Sequence, residues 1–203
     1  MEHVVYINLS SREDRRIHIE EQFSIMGISA ERINAYPCEN GAIGCTMSHI
    51  RCIEYAISHR LPYLCILEDD IVFTQPELFK TQLDKFFKSD TVWDVLLLGG
   101  YVDTPFEKVN ECCIKVYNAK STMSYIVKNH YFSTLLGNFK TGLSMLIRGI
   151  PRHQCAIDIY WKTLQRIHQW YALIPLSITQ RPDFSDIEKC NVDYGNKMLI
   201  CKM

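Results

Sequence analysis

The feature that most restricts what this chain can fold into is an alternation across its first third. Three short apolar, β-rich runs, residues 3–9, 28–36 and 63–67, are separated by two stretches with helical period. In the first stretch Ile19, Phe23 and Met26 recur at i, i+4 and i+7, Ser10 with Glu13 matches a capping box, and Gly27 closes the helix. In the second, from about Thr46 to His59, Ile50, Ile53 and Ile57 share one face until Leu61-Pro62 breaks the pattern. Such a β-α-β-α-β order predicts an α/β domain with a mostly parallel central sheet flanked by helices. A helix over 76–88, with Pro76 in its first turn, and a buried strand over 92–98 continue it. Beyond Gly99-Gly100 the pattern predicts strands at 113–118 and 123–127, helices at 130–146 and 157–168, and a last strand at 171–178. The tail after Gln180, rich in Asp, Lys and Asn, reads as a closing loop or flexible end, free from about residue 188. No repeat, linker-like stretch or charge block interrupts the chain, so residues 1–203 read as one domain.

Composition removes several classes. A chain of 203 residues with 47% hydrophobic and 11% aromatic residues is neither disordered, collagenous nor a coiled coil. With 22 basic against 23 acidic residues, nothing global supports binding nucleic acid through its phosphates. No apolar run approaches the ~18 residues of a membrane span, and the start, Met1-Glu2-His3-Val4-Val5-Tyr6, lacks the basic region of a signal peptide. These features lead us to expect a soluble protein of a bacterial or viral-host cytoplasm, with room for peripheral membrane contact. The nine cysteines are odd in number and contain no C-x-x-C pair, which favours reduced thiols over a disulfide framework. They and the seven histidines repeat no zinc-ligand spacing, so no zinc site is expected.

The sharpest local feature is Glu68-Asp69-Asp70, three acids closing the apolar run Cys65-Ile66-Leu67. Ligands of open α/β sheets gather at the carboxyl ends of strands, where this cluster falls. Three carboxylates there need a cation or a set of donors to balance them. A hard divalent ion, Mg²⁺ or Mn²⁺, is one solution, and a solvated strand end with one capping acid is the other. The first strand-to-helix junction offers Asn8, Leu9, Ser10, Ser11, Arg12, Asp14, Arg15 and Arg16. Helix-start N–H groups beside arginines form an anion site, unless Arg15 and Arg16 are surface charges paired with Glu13 or Glu20. Neither G-x-G-x-x-G nor a P-loop is present. Ser48 and His49 do not make a hydrolase pair, because adjacent helical residues point about 100° apart and no G-x-S-x-G elbow exists.

In order along the chain, these pieces resemble glycosyltransferase family 25, the lipooligosaccharide and collagen-type galactosyltransferases. Val5-Tyr6-Ile7-Asn8-Leu9 with Arg12, Asp14 and Arg15 resembles the family's opening strand and basic turn. Gly44-Cys45-Thr46-Met47-Ser48-His49 is similar to its GC-x-x-SH segment, and Leu67-Glu68-Asp69-Asp70 to its acidic motif. Trp93-Asp94-Val95-Leu96-Leu97-Leu98-Gly99 resembles the following strand, and Pro175, Gln180 and Ser185-Asp186-Ile187 the closing elements.

The resemblance implies a GT-A-like fold and an inverting, metal-dependent transfer of a hexose, galactose or similar, from a UDP-sugar to a hydroxyl of an oligosaccharide or glycan acceptor. It implies Mn²⁺ or Mg²⁺ on Asp70 and Glu68, and donor contacts from Asn8, Leu9, Arg12, Arg15, Tyr36, Glu68 and Asp69. Asp158, in the apolar segment Ile157-Asp158-Ile159-Tyr160-Trp161, is the candidate base, and a helix-start Asp stabilised by the dipole is its alternative. Asp94 and Asp186 compete for the role, and Asp186 could instead be a second metal ligand or hold a lid. Two other functions compete: a nucleotide-sugar-binding module without transfer, and a metal-dependent nucleotidyltransferase.

Overall fold

The computed structural model describes residues 1–185 and 187–199, the side chain of Asn196 excepted. β1 (Val4–Asn8) is buried at every residue, which is why its sequence is a continuous apolar run without alternation. α1 (Glu13–Met26) buries Ile19, Phe23 and Met26, and Gly27 closes it at φ 66°, a left-handed conformation that favours glycine. The capping box is not formed. Arg12 occupies the cap, no side chain caps it, and Ser10 and Ser11 lie in the preceding turn, where the Arg12 N–H donates to the Leu9 carbonyl at 2.9 Å.

After β2 (Glu31–Asn34), α2 (Gly41–Ser58) begins earlier than the periodicity suggests. Asn40 caps it by accepting from the Ala42 N–H at 3.1 Å. Gly41 and Gly44 therefore lie in its first turns, and Gly44 has a packing reason. A Cβ there would sit 2.7 Å from the Tyr36 carbonyl oxygen. β3 (Tyr63–Glu68) leads through the acids into β4 (Ile71–Phe73) and then α3 (Pro76–Lys88), which opens with its proline as expected.

β5 (Val95–Leu97), β6 (Tyr101–Val102), β7 (Phe106–Lys108), β8 (Cys113–Val116), β9 (Ala119–Lys120) and β10 (Ser124–Lys128) follow. α4 (Phe132–Ile147) succeeds a 3₁₀ turn. A single turn, α5 (Arg152–Cys155), follows, and the helix expected at 157–168 is instead two more, α6 (Ile157–Tyr160) and α7 (Lys162–Gln165). Four-residue turns are marginal alone. Here they are held because the Trp161 indole and the Gln165 amide both bind the Ala119 backbone, at 3.0 and 2.8–2.9 Å. The last expected strand is two, β11 (Trp170–Leu173) and β12 (Ile178–Gln180), interrupted by Pro175, which has no N–H to give a ladder. The tail is not a bare loop: β13 (Asp183–Ser185) and β14 (Cys190–Val192) form an antiparallel hairpin.

The main sheet has the order β2-β1-β3-β10-β5-β11-β8-β7. Six of the eight strands run one way; β10 and β8 run against them. Side chains of β3 alternate between two cores, as a pleated strand demands. Leu64 and Ile66 join α2 and α4 on one face, and Cys65 and Leu67 join α1 and α3 on the other. This is an α/β sheet covered by helices on both sides. No helix among the described residues is long and apolar enough to cross a membrane, and the eight described cysteines are free thiols.

Two reversals of direction fix what surrounds the acids. Because β10 is antiparallel to β3, the start of β10 and its preceding turn lie beside the end of β3, and the Glu68 N–H donates to the Met123 carbonyl at 2.8 Å. Because β12 is antiparallel to β4, Gln180 pairs with Ile71 and the Arg181 N–H donates to the Asp70 carbonyl at 2.8 Å. Gly44→Ala tests the close approach of α2 to the turn after β2. It should cost about 1–3 kcal/mol by urea unfolding, whereas a neutral substitution would show slack in that turn.

Candidate active site

The parallel strands β1 and β3 end side by side, and a cleft of about 660 Å³ opens above them. The turn after β1 lines one wall with Leu9, Arg12 and Arg15, and Tyr36 and the first turns of α2 line a second. The acids form the floor, and Thr122, Asp158 and the β12–β13 segment complete the enclosure. Asp158, Glu68, Asp69, Asp70, Leu9, Arg12, Arg15 and Tyr36 therefore all line one cleft, and Asn8 lies immediately beneath it, bonded to Asp69.

The three acids are held by different neighbours. Glu68 Oε1 accepts from the Thr122 hydroxyl at 2.6 Å and lies 3.3 Å from His49 Nε2. Asp69 accepts from Asn8 Nδ2 at 2.7 Å and from Arg15 Nη1 at 3.1 Å. Arg32 donates twice to Asn8 Oδ1, at 3.0 and 2.8 Å, which turns the Asn8 amide nitrogen toward Asp69. Asp70 accepts from the same Arg15 Nη1 at 2.9 Å and from Gln180 Nε2 at 3.1 Å.

Arg15 is thus an interior charge and not a surface one. Its Nε also donates to Asp183 at 3.0 Å, and Arg12 donates to Asp183 at 2.6 Å. Arg16 does what the bland reading of both arginines supposed, pairing at 3.5 Å with exposed Glu20.

One guanidinium does not balance this cluster. Burial, reinforced by the charges of Glu68 and Asp69, pushes the Asp70 carboxyl up to about 7 in spite of Arg15. Burial also raises Asp69. Burial works in the same direction on Glu68, but hydrogen bonds from His49 and Thr122 outweigh it and hold that carboxyl below its usual range. The acids carry negative charge in excess of Arg15, on hard oxygen donors that line the cleft. In charge and donor type these residues fit a divalent Mg²⁺ or Mn²⁺ ion.

Asp158 lines the same cleft, accepting from the Ser121 N–H at 3.0 Å. Burial raises its carboxyl above the usual range, partly offset by that bond. Asp94 is at the other edge of the sheet. It opens β5, bonded to the Gln169 N–H and to His130, both at 2.8 Å, which removes it from the competition for the base. Asp186 lies outside the described residues.

The sequence reading missed four participants. Thr122 carries no local signal and reaches Glu68 only because β10 reverses. Asp183 fell in a segment read as a tail. Gln180 was noticed only through the family likeness, and His49 only through that likeness and as half of a rejected hydrolase pair. Ser48 and His49 do diverge: Ser48 Oγ donates to the Gly44 carbonyl at 2.7 Å and accepts from the Tyr36 N–H at 2.9 Å, while His49 faces Glu68. The structure also gathers a group for which no spacing repeat existed. Ligand atoms of Cys45, His49 and Glu68 all lie within 4.8 Å of one another.

Residues 36–147, more than half of the chain, match the family described as glycosyltransferase family 25 (LPS biosynthesis protein). The chain belongs to that family. Similar solved structures include a glycosyltransferase involved in the glycosylation of the major capsid of PBCV-1, at 13% identity and a TM-score of 0.40, over 70% of this chain and 65% of that one. Another is mannose-1-phosphate geranyltransferase from Thermus thermophilus, at 10% identity and a TM-score of 0.46, over 83% of this chain and 58% of that one. The family-25 chain therefore spans less than two thirds of the length of either. No curated protein matches it significantly.

The charge arrangement gives a direct test. Arg15→Met leaves Asp69, Asp70 and Asp183 without their shared cation, so urea unfolding at pH 7 in metal-free buffer should show a loss of about 3 kcal/mol, as for breaking a buried ion pair. A loss under about 1 kcal/mol, typical of exposed pairs, would mean that solvent already balances the acids.

Proposed function

We propose that this chain transfers a hexose, galactose or a similar sugar, from a UDP-sugar to a hydroxyl of a glycan acceptor, with inversion and with the help of Mn²⁺ or Mg²⁺. The observation that carries this reading is the single cleft that joins the carboxylates at the end of β3 to the arginines at the start of α1, with half-buried Asp158 lining it too. The GT-A-like sheet of a family-25 chain is its setting. The acceptor and donor meet in the cytoplasm on this reading, where free thiols such as those observed persist.

In the reaction the acceptor oxygen bonds to the anomeric carbon as the bond from that carbon to the diphosphate oxygen breaks, and UDP leaves. Asp158 takes the acceptor's hydroxyl proton as the new bond forms. Burial raises its carboxyl above the usual range, which makes it a stronger base than an exposed aspartate. Arg15 and Arg12 exchange part of their bonding to Asp69, Asp70 and Asp183 for diphosphate oxygens, beside the N–H groups that open α1. Tyr36, whose ring is backed by the Arg51 guanidinium at 4.2 Å, and Leu9 line the donor's path with Asn8 beneath. Asp70 would hold the metal directly, with Glu68 or Asp69 acting through water or on the ribose. The metal, when bound, supplies charge stabilisation to the departing diphosphate.

Two measurements decide the matter. Calorimetric titration of UDP and UDP-sugars should show binding with Mn²⁺ that is lost with EDTA and in Asp70→Asn. No nucleotide binding under any metal condition would sink the donor site, and turnover releasing pyrophosphate in place of UDP would sink the transfer. Asp158→Asn should keep UDP binding and lose about 10²–10⁴-fold in kcat. The base works ionised, so wild-type kcat/KM should fall as pH drops through a pKa above the ~3.9 of an ordinary Asp. That acid limb should be missing from the residual activity of Asp158→Asn.

A further inference from the structure

The GC-x-x-SH segment is not explained by anything above except the packing of Gly44. Its residues lie at i, i+4 on α2 and act in pairs: Gly44 with Ser48 against the turn at Tyr36, Cys45 with His49 against β3 and β10. His49 has no solvent exposure. Its ring stacks on Tyr125 with centroids 5.7 Å apart and meets the edge of Phe139 at 6.4 Å. Tyr125 is itself fully buried and fixed edge-on by Trp161 at 5.8 Å. An imidazole so enclosed has its orientation set by packing.

Its tautomer is set by hydrogen bonds. Tyr125 Oη lies 3.0 Å from His49 Nδ1. A buried neutral phenol needs an acceptor, and among the described residues Nδ1 is the one within reach. Nδ1 is then unprotonated, and the ring proton sits on Nε2, where it is donated to Glu68 Oε1 at 3.3 Å. The opposite tautomer would face an imidazole lone pair with a carboxylate oxygen. Thr122 donates to that same oxygen at 2.6 Å. Two donors thus converge on Oε1, while among the described residues no protein donor meets Oε2 of this cleft-lining side chain.

We infer that His49 is a positioning residue for Glu68: through the chain Tyr125–His49–Glu68–Thr122 it fixes the carboxylate so that one oxygen, Oε2, is presented to a hydroxyl of the nucleotide-sugar donor. The inference rests on reading the cleft as a sugar-transfer site. It assigns Glu68 to recognition of a donor hydroxyl, and it gives the GC-x-x-SH segment a purpose, since Gly44 and Ser48 seat α2 where His49 can reach β3. A rival use of the same atoms is a soft-metal site of Cys45, His49 and Glu68. The protonated Nε2 opposes it, because that nitrogen has no lone pair for a metal, and burial leaves the Cys45 thiol neutral.

The test has two arms on the whole chain. Long-range ¹H–¹⁵N correlation on ¹⁵N-histidine-labelled, metal-free protein should find His49 protonated on Nε2 only, with that resonance shifted in Glu68→Gln. Protonation on Nδ1 alone would overturn the inference, as would loss of the Nε2 proton on adding one equivalent of Zn²⁺.

The second arm compares His49→Leu with His49→Gln, whose amide N–H reaches about where Nε2 stands, both checked for cooperative melting. His49→Leu should raise the donor KM about tenfold with kcat nearly unchanged, His49→Gln should recover most of that, and in a Glu68→Gln background His49→Leu should add little. Equal losses from both substitutions, or full additivity with Glu68→Gln, would reduce His49 to a packing residue. Absence of sugar transfer by the wild type would strike the sugar-transfer reading alone, because the tautomer is read without turnover.

Discussion

A single guanidinium holds the acidic end of the main sheet together. Arg15 reaches Asp69, Asp70 and Asp183, so it ties the first helix to the end of β3 and to the hairpin that follows β12. Desolvating three carboxylates in one place is expensive unless opposite charge comes with them. That requirement explains why a chain segment far away in sequence folds back over the first turn. Asp183 binds both Arg12 and Arg15, and its carboxyl is kept below its usual range by the Phe184 N–H and Arg15 although burial opposes this. The same balance makes the site responsive. On the proposed reading, a diphosphate with a divalent cation would bring both signs of charge and so take over contacts from Arg15 and the acids without leaving either uncompensated.

The sheet supplies the geometry that the charges exploit. If every strand ran parallel, this edge would be built from the carboxyl ends of strands alone. The reversal of β10 adds Thr122 beside Glu68, and the turn before β10 gives Asp158 its backbone donor at Ser121. The reversal of β12 against β4 adds Gln180 beside Asp70. Polar groups on otherwise apolar strands would be costly to bury, and each of these is satisfied by a partner from a different strand.

Much of this was legible in the sequence, and the boundary is instructive. Elements whose identity rests on local physics were readable: β1 and β3 as unbroken apolar runs, α1 from Ile19, Phe23 and Met26 with Gly27, α3 from Pro76. Glu68-Asp69-Asp70 was readable because acids at the end of a buried strand conflict with their surroundings. Residues whose meaning depends on distant strands were not. Thr122 is an ordinary threonine until β10 turns back. Asp94 resembles Asp158 in sequence, an acid among apolar and aromatic residues, yet it serves the opposite edge of the sheet. Ser10 and Glu13 matched a cap by spacing alone, but the chain enters α1 through Arg12, whose guanidinium instead bonds Asp14 and Asp183. Helical period also failed at 157–168, where side-chain bonds to Ala119 hold the turns apart.

The segment from Gly44 to His49 shows how packing and chemistry become one constraint. A helix can bring an imidazole to the end of a neighbouring strand only if its own start comes close enough. Here closeness is limited by the Tyr36 carbonyl, 2.7 Å from where a Cβ of residue 44 would stand. With glycine there and Ser48 joined to the Tyr36 N–H, the helix settles against the turn that follows β2. The hydrogen bond five residues farther on, from His49 to Glu68, then depends on a missing side chain little more than one turn away. A substitution at Gly44 would therefore act on the carboxylate without touching it, by moving the helix that carries its donor.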